Sequence, residues 1–373
     1  MIVILKPDTP RDSRAVKSVT DRAASFPGVT ASVHEVAGST RSLIEIYLIG
    51  STSTIPTTVF EEIDGVERVV RISEKYRMLG RHQGQVEAMG FEYQGVVFDQ
   101  DSLHVLPGLC AVDTPEHAEA MFRALRAAGI TTTRMGAYKP RTSPYDFQGL
   151  GKACLPWVFE LAGKYGIRVI AMEITHESHI SEIDSALDAA GSPTGVMLQI
   201  GTRNAQNFEL LKIVGQQNRF PVLFKRGMGI TLEESLNACE YVASEGNRNI
   251  ILCLRGMKTN LGDPHRNFVD FAHVPVVKRL TRLPVAVDPS HSVGRKELAP
   301  DGLTDIHHVT AQGVIAGANL VLVDFHPNPA KALCDGPQAL TIEELGPYLE
   351  DIAIVRDAYL KRRAAVAGAT AAA

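Results

Sequence analysis

The sequence predicts a (β/α)8 barrel of the TIM type, preceded by a small α+β domain of the ferredoxin-like type. Two observations predict the barrel. Strand-like apolar runs alternate with helical patterns eight times from residue 104 onward, and a chemically distinctive residue follows each run. A third observation, the order strand–helix–strand–strand–helix–strand in residues 1–80, predicts the small domain. A doubly wound sheet is the competing fold, but no Gly-x-Gly-x-x-Gly sequence follows an early strand.

The composition of the chain indicates which kinds of binding partner and which cellular compartment to expect. The 373 residues carry a formal net charge of −4, so no global basic field predicts a nucleic-acid partner or an anionic membrane surface. No run approaches the roughly 20 apolar residues of a membrane span. The first residues are typical of a strand rather than of a signal peptide. The five cysteines have no paired spacing, which predicts reduced thiols and a cytoplasmic location.

Residues 1–80 are expected to form the ferredoxin-like domain, and no residue in them has a catalytic pattern. Its role is therefore either packing and dimerisation or the sensing of a small molecule. The apolar and helical patterns predict, in order, a strand at Ile2–Leu5, a helix at Arg11–Ala24, strands at Thr30–Val36 and Ser42–Ile49, a short helix at Pro56–Ile63 and a strand at Val66–Ile72.

Residues 81–103 are polar and predict a connection with one strand at Gly95–Phe98, and residues 104–363 are expected to form the barrel. A helix over Ile342–Arg363 closes it, and residues 364–373 are expected to be a flexible tail. The eight predicted barrel strands are His104–Leu106, Ile130–Arg134, Arg168–Ile174, Val196–Ile200, Pro221–Lys225, Asn249–Leu254, Pro284–Val287 and Leu320–Val323.

The residues at the strand ends carry the functional argument, because barrel active sites gather side chains from the carboxyl ends of several strands. A thiol, an imidazole and two carboxylates are among them, at Cys110, His291, Asp324 and Asp335. Each alone has an ordinary structural explanation, such as a buried thiol or a core histidine. Together they predict one site for Mn²⁺, Fe²⁺, Co²⁺ or Zn²⁺, and the mixture of ligands does not choose among these ions.

Cations form the second group at the strand ends. They are too many for one monoanion, and they predict a substrate with several negative charges, such as a phosphate and a carboxylate. Their positions are Arg134, Lys139, Arg203, Lys225, Arg226 and Arg255. A proline-stiffened loop continues the second strand end with Arg141, Thr142 and Ser143, whose donors also suit a phosphate.

Several runs resemble one enzyme family, the Iβ branch of 3-deoxy-D-arabino-heptulosonate 7-phosphate (DAHP) synthase. They are Lys139-Pro-Arg-Thr-Ser-Pro-Tyr with Phe147-Gln-Gly-Leu-Gly, Gln199-Ile-Gly-Thr-Arg-Asn with Gln206-Asn-Phe-Glu-Leu-Leu, Pro221-Val-Leu-Phe-Lys-Arg-Gly-Met, Val287-Asp-Pro-Ser-His and Asp335-Gly-Pro-Gln. The resemblance implies condensation of phosphoenolpyruvate with erythrose 4-phosphate and water, at the start of the shikimate pathway. Members of this branch can carry an N-terminal regulatory domain. A separate fold joined to a catalytic barrel predicts feedback inhibition by an aromatic amino acid or a related end product, and because such barrels commonly associate, we expect a homodimer or homotetramer.

The resemblance also implies residue roles. Phosphoenolpyruvate would be held by Arg134, Lys139, Arg203, Lys225 and Arg255, with Glu173 nearby. The aldose phosphate would be held by Pro140, Arg141, Thr142 and Ser143, with Asp288 close to it. Cys110, His291, Asp324 and Asp335 fall where the family has its metal ligands, and Lys139, Cys110 and His291 are the expected catalytic residues.

The sequence departs from the family pattern at three positions. Leu109 replaces a proline, Leu254 replaces a glutamate, and Asp324 replaces the usual glutamate ligand. We expect these changes to lie at or next to the site, where they could reshape the pocket or alter metal binding. They motivate an alternative, a diverged relative that condenses phosphoenolpyruvate with a different aldose phosphate in specialised metabolism. A third hypothesis is a non-catalytic regulatory or binding subunit, which would bind ligand without turnover.

Overall fold

The computed structural model of the chain describes residues 1–37, 42–71, 76–82 and 88–371. The first part forms a four-stranded antiparallel sheet with strand order β2-β3-β1-β4. Its elements are β1 (Ile2–Leu5), α1 (Arg14–Ala24), β2 (Val29–Ala37), β3 (Ser42–Gly50), α2 (Thr58–Glu61) and β4 (Val66–Val70). The predicted ferredoxin-like order is confirmed. Helix α1 begins three residues later than expected because the Ser13 side chain caps it by accepting from the Val16 N–H.

The two faces of this sheet bury different partners. Val3 and Leu5 pack with Phe60 in the core beneath the helices, while Ile2 and Ile4 belong to the core shared with the barrel. Side chains of a strand alternate between faces, so the continuous apolar run of β1 serves both cores. The end of the last strand was predicted at Ile72, which lies outside the described residues; β4 ends at Val70.

A short hairpin closes the amino end of the barrel. Strands β5 (Phe91–Tyr93) and β6 (Val96–Phe98) pair with each other, and Val96 and Phe98 pack among the inward side chains of the barrel strands. The sequence predicted only the second of these two strands.

Eight parallel strands form the closed barrel, and each predicted strand is present. They are β7 (His104–Leu109), β8 (Thr132–Met135), β9 (Val169–Ile174), β10 (Gly195–Ile200), β11 (Val222–Lys225), β12 (Ile250–Leu254), β13 (Val285–Val287) and β14 (Leu320–Asp324). The helices outside are α3 (Pro115–Ala127), α4 (Leu155–Tyr165), α5 (Ser178–Ala189), α6 (Phe208–Gln216), α7 (Leu232–Ser244), α8 (His273–Leu280), α9 (Pro289–Val293), α10 (Asp305–Ile315) and α11 (Leu345–Ala371).

The last helix differs from the prediction at both ends. Residues 342–344 form a 3₁₀ turn rather than α-helix, with Thr341 and Glu344 in a reciprocal capping box. At the other end α11 continues past the predicted Arg363 to Ala371, because the alanine-rich tail has a high helix propensity. Within the residues that the structure describes, no helix is both long and apolar enough to cross a membrane.

Alternation along the barrel strands separates two apolar layers. Leu223, Cys253 and Leu322 point inward and fill the barrel. Their neighbours, such as Phe224 and Val323, point outward and pack against the helices. At the carboxyl end of each strand, the next inward position is therefore the one that faces the mouth of the barrel.

Candidate active site

Most of the predicted strand-end residues occupy inward positions at the barrel mouth. In β11, for example, Leu223 points inward, and the next inward residue is Lys225. The same count from the inward residues of β9, β12, β13 and β14 reaches further polar side chains, and these converge with Arg134 of β8 and with Cys110, which lies two inward positions beyond Leu106, at one end of the barrel. This set is Cys110, Arg134, Glu173, Lys225, Arg255, Asp288 and Asp324.

A cavity of about 570 Å³ opens at this end of the barrel. Seven lysines and arginines but only three carboxylates line it, so its field is strongly positive. The predicted residues that line it are Lys139, Pro140, Arg141, Thr142, Glu173, Arg203, Lys225, Arg255, His291 and Asp335. The described lining also includes residues for which we predicted no role, among them Lys258, Arg266 and Asn267.

Arg255 is an unpaired cation at this cavity. Its side chain is buried, and its Nε and one terminal nitrogen have no hydrogen-bond acceptor among the described residues. Burial lowers the pKa of this guanidinium, and the neighbouring charge of Arg266 lowers it further. A buried donor without a partner is costly, so Arg255 is poised to bind an anion.

Asp288 lies beneath the cavity and orients two of its neighbours. Its carboxylate accepts from the backbone N–H of His291 (3.0 Å) and from Nδ1 of the same residue (3.1 Å), and it pairs with Lys225. Burial would lower the pKa of His291, but Asp288 and Asp324 raise it to about 10. Because Asp288 holds Nδ1, the other ring nitrogen of His291 faces the cavity.

Three of the four predicted metal ligands form a close triad, which we call the Cys–His–Asp triad: Cys110, His291 and Asp335. Cys110 Sγ lies 3.1 Å from Asp335 Oδ2 and 3.6 Å from His291 Nε2, and the last two atoms are also 3.6 Å apart. A tetrahedral ion with bonds of about 2.0–2.3 Å separates its ligands by roughly 3.3–3.6 Å. The donor set and its spacing therefore fit a divalent metal ion.

Cations beside the triad favour the negatively charged forms of Cys110 and Asp335. Lys139 Nζ lies 2.7 Å from Cys110 Sγ and 3.2 Å from Asp335 Oδ2. Burial raises the pKa of the Cys110 thiol, and Arg134 and Lys139 offset part of that rise. Burial would also raise the pKa of Asp335, but its bond with His291 and the charge of Lys139 hold it well below its ordinary value.

Asp324 has different partners. Its ligand atom lies within 4.8 Å of those of the triad, but one carboxylate oxygen pairs with Arg134, and the other accepts from Gln338 Nε2 at 2.5 Å. The side-chain oxygen of Gln338 accepts in turn from Arg266 at 3.2 Å. We did not predict a role for Gln338, although it ends the quoted run Asp335-Gly-Pro-Gln.

The loop after β8 forms one wall of the cavity. Arg203 donates to Thr142 Oγ1 (3.0 Å), and Arg141 contacts Cys334 Sγ (2.8 Å) and Asp146. Ser143 behaves differently from its neighbours. Its hydroxyl accepts from the Tyr145 N–H (3.2 Å) and stabilises the turn, and it is not among the described residues that line the cavity.

Glu173 is held beside the cation cluster. Its carboxylate accepts from Gln199 Nε2 at 3.2 Å. A Cβ atom added to Gly201 would lie 1.8 Å from Glu173 Oε1, so a side chain at that position would displace the carboxylate. Glycine is therefore needed at residue 201 to leave room for Glu173.

Three residues that we associated with the site point away from the cavity, and for Arg226 the expectation is wrong. Arg226 follows the inward Lys225 and points outward, where it pairs with Asp270 (2.9 Å), so it does not join the cation cluster. Leu109 and Leu254 also point outward, into the apolar layer between strands and helices. Neither of these two side chains therefore lines the cavity, whereas Asp324 faces the site.

A second cluster, Asp113, His117 and His326, is better explained by hydrogen bonding than by a metal. Both imidazoles donate to Asp113, at 3.0 and 2.9 Å. His326 Nδ1 already accepts from the Asn328 N–H (2.9 Å), which places the ring proton on Nε2, where a metal would have to bind.

Comparison with known proteins gives consistent matches over most of the chain. A family model described as the DAHP synthetase I family matches residues 86–357, and one described as the DAHP synthase ferredoxin-like domain matches residues 1–74. Phospho-2-dehydro-3-deoxyheptonate aldolase of Thermotoga maritima is 36% identical over 358 residues, which cover 96% of this chain and 98% of that protein. A 2-dehydro-3-deoxyphosphooctonate aldolase of Syntrophobacter fumaroxidans is 27% identical over 285 residues, 72% of this chain and 94% of that protein.

Solved structures give the same result. The crystal structure of the Thermotoga maritima DAHP synthase matches with a TM-score of 0.69 and 35% identity, over 96% of this chain and 97% of that one. A truncated form of the enzyme from the same organism matches with a TM-score of 0.65 and 32% identity, over 76% of this chain and 97% of that one.

Proposed function

The chain belongs to the DAHP synthetase I family, and from this we propose that it condenses phosphoenolpyruvate with erythrose 4-phosphate and water. The products are 3-deoxy-D-arabino-heptulosonate 7-phosphate and inorganic phosphate, in the first step of the shikimate pathway. The observation that carries this proposal is the juxtaposition of the unpaired Arg255 guanidinium, in a cavity lined by seven cations, with the Cys–His–Asp triad. The two alternatives stated above are not favoured, because the family match extends over both domains.

Phosphoenolpyruvate suits the inner part of the cavity. Its phosphate and carboxylate need several fixed donors, which we propose are the buried Arg134, Lys139, Lys225 and Arg255 together with the exposed Arg203. Arg134 and Lys225 are already oriented by the carboxylates of Asp324 and Asp288. Glu173 lies beside these cations, within reach of the same ligand. Fixed charges of this kind bind the substrate without reorganising during the reaction.

The aldose phosphate suits the outer wall. Pro140, Arg141 and Thr142 line it, and Arg203 reaches across to Thr142. Ser143 supports the turn that carries them, and Asp288 acts from below through Lys225 and His291. The aldehyde end of erythrose 4-phosphate would then point toward the triad, close to the bound phosphoenolpyruvate.

In the reaction, C3 of phosphoenolpyruvate forms a bond to the aldehyde carbon, water adds at C2, and the bond from C2 to the phosphate oxygen breaks. We propose that Cys110, His291 and Asp335 hold a divalent ion, with Asp324 beside them. Such an ion supplies Lewis-acid polarisation of the aldehyde carbonyl. Burial opposes the charge of Lys139, but Cys110 and Asp335 raise the pKa of its ammonium. Lys139 is therefore charged, and it can donate a proton to the aldehyde oxygen as that oxygen gains negative charge.

The test combines pure protein, phosphoenolpyruvate, erythrose 4-phosphate and Mn²⁺, with and without a chelator, and follows phosphate release and product mass. We expect chelator-sensitive formation of the seven-carbon product, and little turnover with other aldose phosphates. Binding of phosphoenolpyruvate with no product from any aldehyde would refute the proposal. Two variants separate the subsites: Arg255→Ala should raise the KM for phosphoenolpyruvate, and Arg141→Ala the KM for erythrose 4-phosphate.

For the N-terminal domain we propose feedback inhibition by an aromatic amino acid or a related end product. The support is its separate fold and core, and its match to a domain that occurs in DAHP synthases. A variant that lacks residues 1–80 should keep its activity and lose its sensitivity to the inhibitor. An intact enzyme that ignores all such ligands would refute this. We further propose a dimeric or tetrameric enzyme, and a cytoplasmic location supported by the five free cysteines.

A further inference from the structure

Asp324 differs from the other three predicted metal ligands in its surroundings. The ligand atoms of the triad lie 3.1–3.6 Å from one another. Asp324 approaches the triad through Nδ1 of His291, at 3.7 Å, which is the ring nitrogen turned away from the other two members. Both of its oxygens already accept hydrogen bonds, from Arg134 and from Gln338.

Arg134 lies between Asp324 and the thiol of the triad. One terminal nitrogen of its guanidinium pairs with Asp324, while the other lies 3.3 Å from Cys110 Sγ. The guanidinium therefore bridges one Asp324 oxygen and the Cys110 thiol, so this carboxylate is already engaged by a fixed cation on the side of the triad. A glutamate, which the family usually has here, would extend its carboxylate by roughly 1.5 Å, the length of one carbon–carbon bond.

Gln338 fixes this arrangement. Its side chain is 1% exposed, and it links Asp324 to Arg266 through one donated and one accepted hydrogen bond. A buried amide that is bonded through both its nitrogen and its oxygen holds its neighbours in one geometry. Asp324 is therefore held by partners on both oxygens, in a position suited to orienting Arg134.

We infer that Asp324 is a positioning residue for Arg134 rather than a metal ligand, and that the Cys–His–Asp triad is the complete set of protein ligands. This inference rests on the proposed function, because it assumes that the triad binds a divalent ion and that Arg134 binds phosphoenolpyruvate. Three protein ligands with open positions are typical of catalytic rather than structural metal sites. The substitution of aspartate for glutamate thus changes the role of residue 324, while the Cys–His–Asp triad keeps its place.

The experiment titrates the metal-free full-length protein with Co²⁺, without substrates. The thiolate-to-cobalt charge-transfer band reports coordination by Cys110, and the visible bands report the number of ligands. We expect Asp324→Asn to keep the charge-transfer band and to bind Co²⁺ within about tenfold of the wild type, the lower end for residues that only support a ligand. Asp335→Asn, the matched control, should weaken binding at least a hundredfold.

Two further measurements test the position of the carboxylate and its effect on Arg134. Asp324→Glu should bring a carboxylate to the ion, so its visible bands should become weaker than those of the wild type as the coordination number rises. Calorimetry with phosphoenolpyruvate alone should show at least tenfold weaker binding to Asp324→Asn, because Arg134 loses its orienting partner.

The outcomes separate this inference from its premise. The inference is overturned, and Asp324 is a ligand, if Asp324→Asn weakens Co²⁺ binding as severely as Asp335→Asn does. It is also overturned if Asp324→Asn changes the visible bands while Asp324→Glu leaves them as in the wild type. If the wild-type protein takes up no Co²⁺, the proposed metal dependence fails together with the inference. Product formation, measured separately, decides the proposed reaction itself.

Discussion

A buried ion pair joins the N-terminal domain to the barrel, and its removal gives the sharpest test of how the two parts are held together. Arg282 donates to Glu45 Oε1 at 3.1 Å, and the two residues are 4% and 3% exposed. Glu45 lies on the face of β3 that is turned toward the barrel, where Tyr47 also donates to it at 2.6 Å. Arg248 lies 3.7 Å away and stacks on the Tyr47 ring. Arg248 and Arg282 precede β12 and β13, so the domain packs at the end of the barrel opposite the site.

The expected effect of Arg282→Met follows from the charge that it leaves behind. Burial would raise the pKa of Glu45, but Arg282 and Tyr47 lower it, so the carboxylate is ionised in the folded protein. Removing one partner of a buried pair costs about 3–5 kcal/mol. Tyr47 and Arg248 remain close to Glu45, so we expect a loss of about 2–3 kcal/mol in the free energy of unfolding. The double variant Glu45→Met/Arg282→Met leaves no unpaired carboxylate, and it should be no less stable than Arg282→Met.

The assay is urea unfolding, followed by far-ultraviolet circular dichroism and by the fluorescence of Trp157, the single tryptophan, which lies in α4 of the barrel. Arg279→Met, an exposed change on the neighbouring helix α8, is the control and should shift stability by less than about 0.5 kcal/mol. Losses that simply add in the double variant would refute the reasoning, because a coupled pair must show an interaction energy.

Three further predictions test the site and the fold. Gly201→Ala should raise the KM for phosphoenolpyruvate at least tenfold, because its Cβ would displace Glu173. The control Gly346→Ala lies in α11, where a Cβ meets nothing within 4 Å, so it should leave the KM unchanged and should not lower the Tm. Leu254→Ala should cost about 2–5 kcal/mol in urea unfolding while the KM for erythrose 4-phosphate is unchanged, since the side chain packs away from the cavity; a changed KM with intact stability would contradict its placement. Burial, with the nearby charge of Arg356, lowers the pKa of Lys278 from 10.5 to about 8. As the pH rises, the folded protein therefore loses this proton before the unfolded chain does. Between pH 8 and 10.5, the free energy of unfolding of the wild type should rise by on the order of 2–3 kcal/mol relative to that of Lys278→Met. An equal difference in stability between the two proteins at pH 7.5 and at pH 10 would contradict this prediction.

Strand positions and the direction of the strand-end side chains could be read from the sequence because they depend on local patterns. Eight apolar runs gave eight barrel strands, and a count of two residues from each inward core position reaches Lys225, Arg255 and Asp324. The same count excludes Arg226, which follows an inward residue and must point outward. The extension of α11 to Ala371 is also a local matter, since alanine has the highest helix propensity.

Contacts between distant parts of the chain were decided only by the tertiary structure. Gln338 lies 14 residues from Asp324, and Arg282 lies 237 residues from Glu45, so no periodicity relates them. Whether Asp324 meets an ion or Arg134 depends on about one carbon–carbon bond length, a distance set by how strands and loops pack around it. The sequence by itself determined the fold, because barrel strands follow from local periodicity, and its quoted runs indicated the family. Which atoms face one another was decided by packing, since it depends on segments that are far apart along the chain.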